Sequence, residues 1–306
     1  MILKPSKEAP LSAFILAEIL DEIGLPAGVF NLISGHGSEV GDYMSSHPDV
    51  DMVSFTGSTG AGVSVSQSAA PTIKRVTLEL GGKSANVALE DADPVLVAKK
   101  AIGACHQNSG QTCSALTRLI IPESMNKQVC DVITEKNDSY LVGNPLDEQT
   151  RCGPMVSLRQ QLSVTEYIQS GIDEGANLIS GGLGMPDGIE KGFYVKPTIF
   201  ANVTPEMKIW KEEIFGPVLV ITTYNTESEA LKLANDSIYG LSGGVWSENP
   251  ERALNFAKRM RTGQVSVNGG SFNVSAPFGG YKLSGNGREL GTHGLDEFLE
   301  IKSIQL

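Results

Sequence analysis

The sequence predicts an α/β fold, with a partial parallel sheet followed by a second α/β unit. Over the first eighty residues, short β-branched runs alternate with helical patterns, and strand–helix repetition is typical of parallel sheets. A hydrophobic content of 41%, a charged content of 19% and 34 dispersed glycines fit a soluble α/β protein better than a disordered or fibrous one. At 306 residues the chain is long enough for two domains.

The first region begins with a strand that has no strand–helix unit before it, so we expect its sheet to be incomplete. Its predicted elements, in order, are strand 2–3, helix 11–23, strand 29–33, helix 37–46, strand 52–55, helix 60–69 and strand 75–80. In such sheets ligands bind beyond the carboxyl ends of the strands, and two of these ends carry glycine turns. We therefore expect a ligand at this edge.

The second region alternates strands and helices in the same way and predicts a domain of its own. Its predicted elements are strand 86–89, helix 93–106, strand 118–121, helices 123–136 and 158–174, strands 194–200 and 218–224, helix 227–234, strand 244–246, helix 251–261 and strand 265–268. Residues 301–306 resemble an exposed strand, and an unpaired strand edge invites a partner.

Composition argues against several classes of function. With 24 basic and 35 acidic residues the net charge is −11, and there is no basic run that would bind nucleic acid. The helix at 11–23 is interrupted by acidic residues, and the N-terminus lacks the pattern of a signal peptide, so we expect no membrane span. The four cysteines lie far apart, which favours the cytoplasm. The four histidines show no ligand spacing, so we expect no metal.

Two segments hold the residues best suited to chemistry. Cys113 lies in NSGQTCS at residues 108–114, and Glu79 lies 34 residues earlier in LELGGKS at residues 78–84. A thiol preceded by glycine and flanked by small polar residues is open to a substrate and to backbone donors, although a single cysteine is more often inert than catalytic. A carboxylate can serve as its base. The pair predicts a nucleophile and a general base.

The sequence FTGSTGAG at residues 55–62 follows a β run and opens a helix. The helix start presents N–H groups and the positive end of the dipole, which favours a phosphate near Gly57, Ser58 and Gly62. A plain strand-to-helix turn would use the same glycines. The segment SGHGS around Gly37 is a weaker version of this signal.

Together the Cys113 and Glu79 motifs strongly resemble the signature of the aldehyde dehydrogenase superfamily, and the resemblance runs from Lys4 to the end of the chain. It implies a partial Rossmann-like, dinucleotide-binding domain at residues 1–80 and a catalytic domain at 81–285. It also implies a C-terminal helix and oligomerisation strand at 286–306. On this basis we expect a homo-oligomer that binds NAD or NADP and a small aldehyde.

The resemblance also assigns cofactor contacts. Residues 57–62 resemble the family's Gly-Ser-Thr-x-x-Gly turn, which places the diphosphate near Ser58. In the matching Lys-Pro-Ser motif, Lys4 lies against the adenosine ribose, and we assign Ser6 to the same site. The family commonly has a glutamate next, which repels a 2′-phosphate, but this chain has Lys7. The hypothesis is better tolerance of NADP; the alternative is that Lys7 points into solvent.

Two later segments resemble other parts of the family's site. In EEIFGP at residues 212–217, Glu213 corresponds to the residue that holds the nicotinamide ribose, and Phe215 to the one that packs beside the nicotinamide. Without the resemblance this segment would be a helix end followed by a turn. Phe278, in PFGGYKLSG at residues 277–285, corresponds to a wall of the aldehyde entrance, and generic aromatic packing is the competing explanation.

The resemblance implies the oxidation of an aldehyde to a carboxylic acid. The Cys113 thiolate attacks the aldehyde carbon, the thiohemiacetal gives hydride to C4 of the nicotinamide, and Glu79 activates the water that hydrolyses the thioester. Coenzyme A could instead accept the acyl group, but a water base is of little use to an enzyme that protects its thioester. Hydrolysis is therefore preferred.

By resemblance, family members carry a long segment before the Lys4 motif, so we expect this chain to be truncated at its N-terminus. That segment holds an asparagine of the oxyanion hole, and no residue here matches it. Loss of one such donor typically lowers the rate about a hundred- to a thousand-fold. The alternative function is therefore a non-catalytic remnant that binds nucleotide or associates with other subunits.

Overall fold

The computed structural model describes residues 1–306, which divide into two compact units. One unit comprises Met1–Thr56 and Gly60–Thr77, and the other comprises Gly57–Thr59 and Leu78–Leu306. Strands and helices alternate along the chain and most of the strands pair in parallel, so the predicted α/β class is confirmed.

The first eighty residues form short elements. The strands are β1 (Ile2–Leu3), β2 (Asn31–Leu32), β3 (Met52–Thr56) and β4 (Arg75–Glu79), and the helices are α1 (Leu11–Glu22), α2 (Asp42–Ser46) and α3 (Thr59–Ala69). β1 pairs with β2 in parallel, whereas β3 and β4 belong to another sheet. The strands predicted here are present, but they are divided between two sheets. β1 and β2, at two residues each, pair only with each other.

The rest of the chain forms a larger α/β unit. Its strands are β5 (Ala85–Ala88), β6 (Arg118–Pro122), β7 (Asn177–Ser180), β8 (Thr198–Ala201), β9 (Val218–Tyr224), β10 (Gly243–Trp246), β11 (Ser266–Val267) and β12 (Gly285–Asn286). Its helices are α4 (Pro94–His106), α5 (Asn126–Asp138), α6 (Leu158–Asp173), α7 (Lys208–Lys211), α8 (Glu227–Asn235), α9 (Pro250–Ala257) and α10 (Gly291–Asp296).

A seven-stranded sheet forms the centre of this unit, in the order β11-β10-β5-β6-β9-β8-β7. All of its pairs are parallel except β7 with β8. Its inner strands are buried on both faces, which explains why β6 and β9 are mostly apolar without alternation. The sequence did not predict β7, because this edge strand is short and half of its residues are exposed.

Helix starts in this unit follow the expected capping chemistry. The Asp93 side chain accepts hydrogen bonds from Val95 N (2.8 Å) and Leu96 N (3.2 Å) at the start of α4, and proline occupies its first turn. Ser157 caps α6 by accepting from Gln160 N at 3.3 Å. α4 therefore has a fixed start, and its last residue leads directly into the loop that carries Cys113.

The chain ends differ from the sequence prediction in one respect. No strand forms over residues 301–306 within the single chain: the segment is exposed and pairs with none of the chain's strands, and the oligomerisation strand stays a prediction. A strand requires a hydrogen-bonded neighbour, and this segment has none here. None of the helices is both long and apolar enough to cross a lipid bilayer.

A buried polar network joins the end of α4 to the edge of the sheet. His106 Nε2 donates to Asn137 Oδ1 at 3.1 Å, and Asn137 Nδ2 donates to Ser180 Oγ (2.7 Å) and to the Pro197 carbonyl (2.8 Å). Burial lowers the pKa of His106 to about 3. The imidazole is therefore neutral in the folded protein near neutral pH.

This burial predicts a pH dependence of stability. The folded-state pKa of His106 lies below the ordinary value of 6.5, so the unfolded chain binds the extra proton and stability falls as pH decreases below 6.5. Between pH 7 and pH 5 the group accounts for a loss of about 2 kcal/mol. In urea titrations at these two pH values, His106→Gln is expected to lose less free energy of unfolding than the wild type. Equal losses would contradict the assignment.

Candidate active site

Glu79 is the last residue of β4 and lies in the larger unit. Its backbone is fixed on both sides, because its carbonyl accepts from Gly57 N at 3.0 Å and Leu80 N donates to the Ser284 carbonyl at 2.9 Å. The side chain is only 5% exposed, and both carboxyl oxygens are buried without a hydrogen-bond partner. A buried carboxylate without donors is destabilised, which is a marker of a functional group.

The protonation of Glu79 reflects this isolation. Its pKa is raised to about 7, because burial and the negative charge of Glu289 raise it while the Arg288 guanidinium opposes the rise. A carboxyl group that titrates near neutrality is suited to accept and release protons at physiological pH. The sequence had predicted Glu79 as the base but not the contribution of Glu289.

The loop before Cys113 has an unusual backbone. α4 is followed by a 3-10 turn over Gln107–Gly110, in which Asn108, Ser109 and Gly110 have φ values of 51°, 58° and 72°. Glycine suits position 110 for two reasons: its φ is positive, and a Cβ there would collide with the Gly216 carbonyl. The loop therefore packs backbone against backbone on the segment that carries Phe215.

Cys113 is half-buried, and its thiol lies near both carboxylates of the predicted site. Burial raises its pKa, as do the charges of Glu213 and Glu79, while the N–H groups of Ser114 and Cys113 donate to the sulfur and lower it. The resting group is therefore a thiol, and the thiolate expected to attack the substrate has to be formed from it. A base must remove its proton, and Glu79 is close enough to influence that proton.

The glycine pair after Glu79 joins these groups. Gly82 N donates to Glu213 Oε1 at 3.0 Å, and a Cβ on Gly82 would lie 2.5 Å from the Cys113 carbonyl oxygen. A side chain on Gly81 would collide with the Glu213 carboxylate. Gly82 is required because its neighbour is backbone that cannot move aside, whereas a side chain on Gly81 would displace the Glu213 carboxylate. The structure thus brings Cys113, Glu79 and Glu213 together.

Glu213 and Phe215 lie in the connection from α7 to β9. Glu213 is half-buried, and burial raises its pKa while the Gly82 N–H and the charge of Lys83 oppose the rise. Phe215 has a φ of 56° and remains 37% exposed. A bulky residue in the left-handed region is unfavourable and is often found at functional sites.

Lys83 is a further buried charge that the sequence did not single out. Its side chain is 2% exposed, and its Nζ has no hydrogen-bond partner. Burial lowers its pKa to about 7, and the charge of Glu213 acts in the opposite direction. Arg118 Nε donates to the Lys83 carbonyl at 2.7 Å, which holds this residue at the start of β5. The only sequence signal was its place in the LELGGKS motif.

The predicted adenosine contacts lie in the smaller unit. Lys4 Nζ donates to the Pro5 carbonyl at 2.7 Å and lies 3.5 Å from the Gly35 carbonyl oxygen. Gly35 belongs to the turn before a π-helical segment, Gly37–Gly41, which starts at the predicted Gly37. The structure therefore brings Lys4 beside the turn that contains Gly37.

Ser6 and Lys7 follow in an exposed stretch. Ser6 Oγ accepts from Glu8 N at 3.2 Å, and Lys7 Nζ forms a surface ion pair with Glu8 at 3.7 Å. More than half of the Lys7 side chain, 55%, is exposed. Exposed pairs of this kind are weak. Both the phosphate contact and the solvent-facing alternative remain compatible with this position.

The glycine turn after β3 has the expected form. Gly57 and Ser58 immediately precede α3, and Gly62 is buried within its first turns. The Gly57 N–H is already bound to the Glu79 carbonyl, so the phosphate site predicted here must use other donors. Ser66 Oγ donates to the Gly62 carbonyl at 3.0 Å. The hydrogen bond from Gly57 N thus joins the turn to the backbone of Glu79, the proposed base.

The segment that contains Phe278 packs against the Glu79 side chain. A Cβ on Gly279 would lie 2.8 Å from Glu79 Oε1, and Phe278 exchanges two 2.7 Å backbone hydrogen bonds with Glu289. Phe278 is half-buried and contacts Phe272 edge-on, with ring centroids 5.9 Å apart. Phe272, 59% exposed, was not predicted, although an aromatic residue in a loop of small residues was a usable signal.

The coupling between Glu79 and Cys113 can be measured through thiol alkylation. In Glu79→Gln one negative charge near the sulfur is removed, so the pH midpoint of iodoacetamide labelling at Cys113 should move to lower pH. The thiolate fraction near neutrality should therefore rise. Peptide mass spectrometry resolves this site from Cys130, also half-buried, which serves as the internal control. An unchanged midpoint at Cys113 would show that the charge of Glu79 does not act on the Cys113 thiol.

Comparison with known proteins assigns the chain. Residues 1–304 match the model of the aldehyde dehydrogenase family. A 3-succinoylsemialdehyde-pyridine dehydrogenase from a Pseudomonas species is 52% identical over 99% of this chain and 64% of its own length. The chain thus spans less than two thirds of this relative.

Solved structures agree with the family match. An aldehyde dehydrogenase C mutant from Pseudomonas syringae, complexed with NAD+ and octanal, is 48% identical with a TM-score of 0.97, over 98% of this chain and 62% of that one. A Mycobacterium tuberculosis aldehyde dehydrogenase complexed with NAD+ is 43% identical with a TM-score of 0.94, over 97% and 61%. With the family match over nearly its whole length, this chain belongs to the aldehyde dehydrogenase family.

Proposed function

We propose that the protein containing this chain oxidises an aldehyde to a carboxylic acid and transfers hydride to NAD or NADP. The observation that carries the proposal is the proximity of Cys113 to a buried, unpaired Glu79 whose pKa is raised to about 7. A nucleophile kept protonated beside a base that titrates near neutrality can react without an external base. Octanal and NAD+ in the complex of a similar enzyme support both ligands.

The residues of the chain fit a nicotinamide dinucleotide. The start of α3, after Gly57 and Ser58, offers backbone N–H groups and the positive end of a helix dipole to a diphosphate. Glu213 is half-buried and can accept hydrogen bonds from ribose hydroxyls. We assign Lys4, Ser6, Lys7, Gly37 and Gly62 to the adenosine and diphosphate portion, and Glu213 and Phe215 to the nicotinamide portion.

The reaction begins at the sulfur. Glu79 takes the Cys113 proton, the sulfur bonds to the aldehyde carbon, and the carbonyl π electrons move to the oxygen to give a thiohemiacetal. The Cys113 and Ser114 N–H groups that donate to the sulfur stabilise the negative charge that develops there as the proton leaves. Phe278, with Phe272 beside it, is the proposed apolar wall for the rest of the aldehyde.

The second half of the reaction returns the enzyme to its starting state. The bound dinucleotide supplies an acceptor for the hydride that leaves the thiohemiacetal carbon, and a thioester remains on Cys113. Glu79 first releases the Cys113 proton to solvent and then removes a proton from a water molecule, whose oxygen bonds to the thioester carbon. The sulfur leaves as a thiolate and takes that proton back from Glu79. A base placed for water favours release of a carboxylic acid over transfer to coenzyme A.

The wider organisation follows the same proposal. Residues 1–80 form part of the dinucleotide-binding domain, residues 81–285 form the catalytic domain with the cysteine nucleophile, and residues 286–306 provide a C-terminal helix and an edge for subunit association. The exposed apolar residues of the last segment support association into a homo-oligomer. Four free cysteines support a cytoplasmic location.

Activity assays test the roles of the two central residues. With a panel of aldehydes, Cys113→Ala should abolish NADH or NADPH formation, and Glu79→Gln should lower it about a hundred- to ten-thousand-fold, as loss of a general base does. Cys130→Ala, which changes a half-buried thiol on α5, should keep the wild-type rate. Wild-type rates in either site variant would refute the assignment, and nucleotide binding without any turnover would favour the non-catalytic alternative.

Cofactor choice tests the role of Lys7. If its ammonium attracts a 2′-phosphate, Lys7→Glu should weaken binding of NADP by about tenfold or more and leave NAD nearly unchanged. Lys7→Gln, which removes the charge without adding repulsion, should give a smaller effect. The measurement is the dissociation constant of each nucleotide by calorimetric titration. Strict NAD preference in the wild type would refute the hypothesis.

A further inference from the structure

Glu212–Gly216, the segment that carries both proposed nicotinamide contacts, has a backbone that its sequence does not favour. Phe215 adopts a φ of 56°, a region that bulky residues rarely occupy. Such a conformation persists only where neighbouring groups impose it. Besides the glycine loops described above, the neighbours of this segment lie on one helix, α6.

One face of α6 supports this segment along its length. Gln160, Val164 and Tyr167 lie at positions i, i+4 and i+7, so their side chains point in the same direction. Tyr167 Oη donates to Glu212 Oε2 at 2.8 Å. A Cβ on Gly216 would lie 2.5 Å from Val164 Cγ2, so the backbone rests directly on the helix. Gln160 contacts Ile214 and Phe215, which lie between Glu212 and Gly216.

The amide of Gln160 is used in an unusual way. Its Nε2 donates to the Phe215 carbonyl at 2.9 Å and to the Ile214 carbonyl at 3.2 Å. As the third residue of the helix, a glutamine commonly reaches back to the cap residue, but here it reaches outward. Both amide hydrogens are engaged, so neither a carboxylate nor an apolar side chain can replace it.

The same end of α6 also holds the nucleophile loop. Gln111 Oε1 accepts from Val156 N at 2.8 Å, and Ser109 Oγ donates to the Gly153 carbonyl at 3.0 Å. Residues 153–160 therefore contact both the loop of Cys113 and the turn of Phe215. A change at Gln160 disturbs the second contact directly and leaves the first in place.

We propose that Gln160 is a positioning residue, whose side-chain amide holds Phe215 in its left-handed conformation and thereby shapes the site for the nicotinamide end of the dinucleotide. This inference rests on the proposed function. The residue makes no hydrogen bond to Cys113, Glu79 or Glu213, so it acts only through the backbone of Ile214 and Phe215. Loss of its amide should weaken binding of the nicotinamide portion and spare the adenosine portion.

The test compares two nucleotides in the full chain. In Gln160→Met and Gln160→Glu, calorimetric titration should show NADH binding weakened about tenfold, the effect of two lost hydrogen bonds. ADP lacks the nicotinamide, so its binding should stay within about twofold of the wild type. Gln161→Met is the matched control, because that neighbouring amide donates instead to the Tyr194 carbonyl at 2.8 Å. It should change neither affinity.

Each outcome separates the inference from the function on which it rests. If NADH affinity is unchanged in the Gln160 variants, or if NADH and ADP weaken equally, Gln160 is not a positioning residue for the nicotinamide end and only the inference fails. If the wild-type chain binds neither nucleotide, the proposed function fails and the inference falls with it. Selective loss of NADH binding in both variants, with Gln161→Met normal, supports the inference.

Discussion

The constraint on which the site depends is the electrostatic cost of burying a carboxylate without donors beside a thiol. Burial and the charge of Glu289 disfavour ionisation of Glu79, and burial and the charges of Glu213 and Glu79 disfavour ionisation of Cys113, so the thiol proton of Cys113 is not readily lost. Moving that proton from sulfur to carboxylate leaves the total charge of the pair unchanged, whereas removing it to solvent does not. The arrangement therefore favours internal proton transfer at the moment a substrate arrives.

Glycine makes this proximity possible. Gly82 lies against the Cys113 carbonyl, Gly110 against the Gly216 carbonyl and Gly279 against the Glu79 carboxyl group. At each point a methyl group would separate two segments that carry functional residues, because the distances leave no room for one. The site is consequently a set of segments in backbone contact: Glu79 ends β4 of the three-stranded sheet, and Cys113, Glu213 and Phe278 lie in loops between elements of the larger unit.

The sequence predicted much of this from local patterns. β9 was predicted over residues 218–224 and forms there, because a continuous apolar run bounded by glycine and proline leaves few alternatives. Glu79 and Cys113 were found through motifs rather than periodicity. The contribution of Gln160 escaped prediction because its partner Phe215 lies 55 residues away, and no local pattern encodes such a contact. Lys83 was missed for the same reason: its burial depends on elements packed from elsewhere in the chain.

The protonation of Glu79 is the most direct test of the account. With side-chain 13C-labelled glutamate, the carboxyl resonance of residue 79 is identified by its absence in Glu79→Gln and followed from pH 4 to pH 9. We expect it to titrate near pH 7, well above the ordinary value of 4.5. A midpoint near the ordinary value would mean that the carboxyl group is solvated or paired, and the proposed proton exchange with Cys113 would lose its physical basis.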